Sequence, residues 1–219
     1  MLMRNARGFN FHLFGFPVHI DPFFFLLAAI LGGSQTDLTQ MALWIVVVFV
    51  SVLVHELGHA FTGRQYGLSP AIELYTGGGL TWWQASRRLS HFEEFSISLA
   101  GPAIGLLVAI AAWMLQLRLP LTEATRNLHI ILIELRWVNI VWSILNLLPM
   151  LPLDGGNIMR VIVQKIRGYN DERLPLLISI GTGIVIFLLA LSRGSLWGMM
   201  LCGWFTYRNY QQLQQFNDS

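Results

Sequence analysis

The run Met41–Val54 contains no charged residue, and it leads directly into His55-Glu56-Leu57-Gly58-His59. A stretch that apolar belongs in lipid, where ionisable groups are expensive. A charge near the bilayer centre costs about 2.5–3.5 kcal/mol on insertion scales, so such a residue is a functional candidate by default. Every other segment must fit around a membrane helix that carries chemistry at one end. Composition agrees: 54% of the 219 residues are hydrophobic and 12% are charged, about half the charged share of a soluble domain. That balance leaves a polytopic membrane protein. The net charge of +2 gives no reason to expect a nucleic-acid partner. A single cysteine, Cys202, excludes both a disulfide framework within the chain and a Cys-rich metal site.

Hydropathy divides the chain into six candidate spans: Pro22–Gly33, Met41–Phe61, Phe95–Leu117, Leu128–Leu148, Pro175–Leu191 and Leu196–Tyr207. Arg4 and Arg7 before the first run, and Gly32-Gly33-Ser34 after it, resemble a signal peptide superficially. The motif-bearing run follows at once, so the first span is read as uncleaved. Residues 9–20 are partly alternating, with Gly15 and Pro17 as interruptions, and read as strand. Ile72–Tyr75 and Leu80–Trp83 flank Gly77-Gly78-Gly79 and predict a hairpin or re-entrant loop. A short amphipathic helix is expected over Gly156–Ile166, lying along the membrane surface. The expected fold is one all-α polytopic membrane domain over 1–219, with about six transmembrane helices. Short β-strand or hairpin segments sit at the membrane near the site. The core covers about 13–167 and the C-terminal spans about 175–207.

The basic residues orient this arrangement. With the N-terminus inside, Arg4, Arg7, Arg64, Arg87, Arg88, Arg160, Lys165, Arg167, Arg173 and Arg208 fall on the cytosolic side. Only Arg118, Arg126 and Arg193 fall opposite, a clear positive-inside bias. Both termini are then cytosolic, in a cell inner or plasma membrane. His55 lies about 21 Å along the second span from Met41, which buries it nearer the cytosolic face of a core about 30 Å thick.

His55 and His59, four apart, project from one helical face and can bind one metal. Zinc suits imidazole nitrogens joined by a carboxylate, with one position open for water. Glu56 is turned toward that water and fits a general base. A third ligand must come from elsewhere, and the best candidate is Asp154. It follows Asn146-Leu147-Leu148-Pro149-Met150-Leu151-Pro152-Leu153, where two prolines end the fourth span. That span also finishes on the cytosolic side, level with the histidines.

HELGH in one membrane helix with NLLPMLPLDGG in a later one resembles the site-2 protease family of intramembrane zinc metalloproteases. Ser98-Leu99-Ala100-Gly101-Pro102 is similar to that family's third-helix signature, and Gly77-Gly78-Gly79 to its glycine-containing loop. The likeness covers about Leu13 to Arg167. It implies that His55, His59 and Asp154 bind Zn2+, that Glu56 is the catalytic glutamate, and that Asn146 stabilises the oxyanion. It also implies a transmembrane protein as substrate, such as a membrane-tethered regulator, cleaved within or near its span. Gly77, Gly78 and Gly79 are candidates for substrate contact, against the plainer reading of a tight turn. Gly105 departs from the family, where an asparagine is common.

Other polar residues read more plainly. Ala100-Gly101-Pro102 suits close helix packing, and Asn139 an interhelical hydrogen bond. Glu134 and Arg136 fit pairing with neighbours or snorkelling. His12, His19, His91 and His129 lack ligand spacing. A competing function is a non-catalytic metal-binding membrane protein that captures transmembrane helices, but metal binding alone does not need Glu56. A transporter lacks the paired broken helices expected of one. The 94 residues between His59 and Asp154 leave no room for an inserted PDZ-like domain, and the tail after Tyr210 is too short for a ligand-sensing module.

Overall fold

A computed structural model describes residues 8–32, 37–84, 87–168 and 171–217. Arg4, Arg7, Gly33 and Ser34, which entered the readings of orientation and cleavage, lie outside the described residues. The chain divides into two compact units, Met1–Arg88 with Ala100–Ser143, and Leu89–Leu99 with Ile144–Ser219.

The first unit is built on a four-stranded sheet ordered β1-β2-β3-β4. β1 (Phe9–Leu13) and β2 (Phe16–Ile20) form an antiparallel hairpin in register Phe9↔Ile20. Its two-residue turn is Phe14-Gly15, with φ of 52° and 83°. Two positive φ values match the primed turn that the twist of a hairpin favours. The interruption at Gly15 is therefore the turn itself. β2 then runs parallel to β3 (Ala71–Tyr75), with Val18 opposite Ile72. Parallel pairing needs a long crossover, supplied here by α1 (Phe23–Leu31) and α2 (Leu38–Gln65). β3 and β4 (Gly78–Trp82) form the hairpin expected around the three glycines, Tyr75 opposite Gly78.

Period-two alternation puts Phe16, Val18 and Ile20 of β2 and Ile72 and Leu74 of β3 on one face. That face packs with Phe24 and Ala28 of α1 and Val52, Leu57 and Ala60 of α2. Arg64 fastens the hairpin to the end of α2. Its guanidinium stacks 4.3 Å from the Phe16 ring and 4.9 Å from the Phe61 ring, and donates to the Phe14 carbonyl at 2.9 Å. Also in this unit are the C-terminal part of α3 (His91–Arg118) and most of α4 (Arg126–Asn146). Asn139 of α4 donates to Ser51 of α2 at 2.9 Å, the interhelical bond expected of it. Arg136 donates to Gln116 of α3 at 3.3 Å.

The second unit holds the first turns of α3, which open on a capping box. Ser90 N–H donates to Glu93 Oε2 at 2.8 Å, and Glu93 N–H to Ser90 Oγ at 3.3 Å. After an irregular stretch come α5 (Asp154–Arg167), α6 (Arg173–Ser192) and α7 (Leu196–Asn217).

By length and composition, four helical stretches among the described residues can cross a membrane: α2, α3, α4 with the 3-10 turn before it, and α6. The first expected span is a nine-residue helix, about 14 Å long against a core of about 30 Å. The last expected span is the start of a 22-residue helix whose second half carries Gln211, Gln212, Gln214 and Gln215. The structure thus supports a mostly helical membrane protein with a small sheet, and four spans rather than six meet both criteria.

Candidate metal centre

His55, Glu56 and His59 begin about two-thirds of the way along α2 and are 2%, 4% and 7% exposed. Helical periodicity brings the two imidazoles together, so that their Nε2 atoms lie 3.2 Å apart with the rings at 77°. Two nitrogens on one tetrahedral zinc at 2.0–2.1 Å are separated by about 3.3 Å. The pair is spaced for one ion.

Glycine makes room for it. A Cβ on Gly101 of α3 would run into His59 Nε2 and come within 2.7 Å of His55 Nε2. Facing it on α2, a Cβ on Gly58 would stand 2.7 Å from the Ala100 carbonyl oxygen and 2.8 Å from Ile104. The Ala100-Gly101-Pro102 signature therefore does serve close packing, as expected, but the surface it packs against is the imidazole pair. Gly105, the departure from the family pattern, follows the same logic. A Cβ there would come 2.5 Å from the hydroxyl of Ser143 in α4, so a larger residue requires that side chain to move.

β4 supplies the surroundings of Glu56. Thr81 Oγ1 lies 2.7 Å from Glu56 Oε2 and 3.1 Å from the Glu56 carbonyl oxygen, and donates to them. Two residues earlier on the same face of the strand, a Cβ at Gly79 would collide with Glu56 Oε1 and come within 2.5 Å of its Cγ. Gly78 has φ +119° and lies against the Trp142 ring. Gly77 is in the turn between β3 and β4. The three glycines are thus more than a tight turn: one of them is the wall against which Glu56 rests.

Asp154 is the first residue of α5, preceded by Leu153 in extended conformation at the N-cap. A carboxylate in the first turn is favoured by the helix dipole. The glycines after it permit the chain to fold back. A Cβ on Gly155 would strike the Leu147 carbonyl, and one on Gly156 would lie 2.6 Å from the Met150 carbonyl oxygen. Asn146 is the last residue of α4. His55 and His59 belong to the first unit and Asp154 to the second. Two imidazoles and a carboxylate are a zinc donor set.

Residues 122–190, which span α4, α5 and most of α6, match the model of Peptidase family M50. The chain also has curated relatives. It is similar to the zinc metalloprotease MJ0392 of Methanocaldococcus jannaschii, 30% identical over 162 residues that cover 73% of this chain and 46% of the relative. It is also similar to the stage IV sporulation protein FB of Bacillus subtilis, 29% identical over 68% of this chain and 48% of that one. The chain spans about half the length of the curated relatives it matches. Its fold is that of the site-2 protease from Methanocaldococcus jannaschii, with a TM-score of 0.68 over 94% of this chain and 95% of that one at 23% identity. With four apolar helices of spanning length, this chain is an integral membrane protein.

Of the remaining histidines, His19 pairs with Asn10 at 2.8 Å and His129 with the Leu119 carbonyl oxygen at 3.0 Å. Neither belongs to the metal group. The residue that sequence reasoning missed is Thr81. Its signal was the strand period: Gly79 and Thr81 are two apart, so whatever one faces the other also faces.

Proposed function

We propose that the chain is an intramembrane zinc endopeptidase that hydrolyses a peptide bond within or near a transmembrane segment of another membrane protein. One observation carries the reading. A glutamate with a partnered carboxylate lies beside two imidazoles spaced for a single ion, inside a long apolar helix. In this reading His55, His59 and Asp154 hold the zinc, which supplies Lewis acidity and lowers the pKa of water. Glu56 takes a proton from the attacking water at one carboxylate oxygen while Thr81 fixes the other, and later delivers that proton to the leaving amine. The Asn146 amide donates to the oxyanion of the tetrahedral intermediate.

A substrate helix hides its amides in internal hydrogen bonds and must unwind before it can react. Among the described strands β4 ends the sheet, and its Gly79 and Thr81 touch Glu56. A substrate strand added along that edge would bring its backbone past the base, which gives Gly77, Gly78 and Gly79 their place in substrate contact. The site end of α2 faces the cytosol in this reading. Arg64, Arg87, Arg88, Arg160, Lys165, Arg167 and Arg173 then lie inside, against Arg118, Arg126 and Arg193 outside. That balance does not depend on whether α1 crosses. A membrane-tethered regulator of the cell inner or plasma membrane is the substrate class that fits.

The test is Glu56→Gln in reconstituted vesicles with a single-span substrate. Cleavage should fall by about 10²–10⁴-fold while zinc stays bound. Equal cleavage by both forms would reject the protease reading.

A further inference from the structure

Residues 147–153, which deliver Asp154, have no regular structure at the end of an apolar helix. Pro149 and Pro152 cannot donate, and the backbone closes short turns, among them Met150 N–H to the Leu148 carbonyl at 2.7 Å and Leu153 N–H to the Met150 carbonyl at 2.9 Å. Irregular backbone at membrane depth persists only where protein satisfies it. Leu151 shows how. Its N–H donates to Ser179 Oγ of α6 at 3.1 Å, and its carbonyl oxygen accepts from Asn209 Nδ2 of α7 at 2.7 Å.

Both partners are fully committed. Ser179 Oγ accepts from Leu151 and donates to the Pro175 carbonyl one turn back, at 2.8 Å. Asn209 Nδ2 uses one hydrogen on Leu151 and the other on the Phe205 carbonyl, also one turn back, at 2.7 Å. A serine hydroxyl has one donor and an amide nitrogen two, so each side chain is tied to its own helix while it holds the loop. Ser179 is 0% and Asn209 2% exposed. Beside them Met150, 1% exposed, lies against Gly183, where a Cβ would stand 3.1 Å from its sulfur. From the clamped Leu151 the chain turns directly into Gly155 and Gly156, whose α-carbons are pressed on the Leu147 and Met150 backbone.

We infer that Ser179 and Asn209 are positioning residues for Asp154, and that α6 and α7 are therefore part of the metal site although they lie beyond its motifs. The inference rests on Asp154 being a ligand. Loss of either side chain leaves a partly buried backbone group of Leu151 unpaired, and the segment must move to satisfy it. The carboxylate three residues on moves with it.

The experiment uses the full chain in detergent with Asn209→Leu, Ser179→Ala, Asp154→Ala as reference, and Gln211→Ala on the exposed side of α7 as control. Zinc affinity is measured by chelator competition, and amide hydrogen exchange over residues 150–156 in the zinc-free protein. Asn209→Leu should weaken zinc by about 10–100-fold, the range for groups that orient a ligand, and speed exchange in that segment. Ser179→Ala should do the same to a smaller degree, and it serves alone if Asn209→Leu does not fold. Gln211→Ala should change neither. Zinc affinity at the wild-type level in both clamp variants, beside its loss in Asp154→Ala, would overturn the clamp and leave the ligand reading intact. Wild-type zinc affinity in Asp154→Ala would instead overturn the ligand reading on which the clamp rests.

Discussion

The elements that carry the proposed metal ligands are held in place by different means. His55 and His59 stand on consecutive turns of a 28-residue helix, and the helical period alone brings their nitrogens to 3.2 Å. Asp154 follows seven residues without regular structure, and Leu151 among them is bonded by two side chains that come 28 and 58 positions after it in the chain. A regular element positions its ligands by covalent geometry and asks of its neighbours only that they leave room. An irregular one must be held by name. The helix half should therefore be sensitive to added bulk, and the loop half to removed hydrogen bonds.

The largest expected effect tests the first clause. Gly101→Val would place branched carbon where the His59 and His55 nitrogens converge. Zinc affinity should drop by at least about 100-fold, seen by chelator competition, without any ligand having been changed. Zinc binding as in the wild type would mean that the rings have freedom to turn aside. The helix half would then be less rigid than its period implies.

Thr81→Val comes next and separates metal from base. It keeps the size of the side chain but removes the donor to Glu56 Oε2. With the carboxylate free to turn, kcat should fall by up to about 10²-fold, with KM and zinc affinity little changed. Thr81→Ser should restore most of the rate. A variant that lost zinc instead would show that β4 supports the imidazoles and not the base.

The same contrast explains what was legible in the sequence. The HELGH run, the proline-broken fourth span, the strand character of residues 9–20, the hairpin around Gly77–Gly79 and the amphipathic α5 could be read because each follows a local rule of period or dihedral angle. The limits of α2 ran past the apolar stretch, to Leu38 and Gln65, because its polar ends continue the helix. α1 was overestimated because apolar residues mark burial as readily as spanning. Ser179 and Asn209 gave no local signal. Their role depends on which loop α6 and α7 meet, and nothing in their own neighbourhoods encodes that. The only hint is general: a polar side chain in an apolar helix needs a partner, and a proline-broken segment has backbone groups to offer.

The smallest expected effect is the sharpest test of the comparison. Asn139 of α4 donates to Ser51 of α2 at 2.9 Å, and Ser51 lies one helical turn before His55 on the same face. It is a buried hydrogen bond close in sequence to a ligand, as the Leu151 bonds are. If proximity alone made a bond important to zinc, Ser51→Ala and Asn139→Leu should weaken the metal as Asn209→Leu does. If regular backbone carries the position, they should cost only the interaction itself. Interhelical hydrogen bonds measured in a membrane protein average about 0.6 kcal/mol. A double-mutant cycle on Ser51 and Asn139, read by unfolding in mixed detergent, should return a coupling of about that size. Zinc affinity should change by less than about twofold, because α2 keeps its period without the bond. A tenfold loss of zinc in these variants would erase the distinction, since a ligand on a regular helix would then depend on lateral bonds as much as one on a loop.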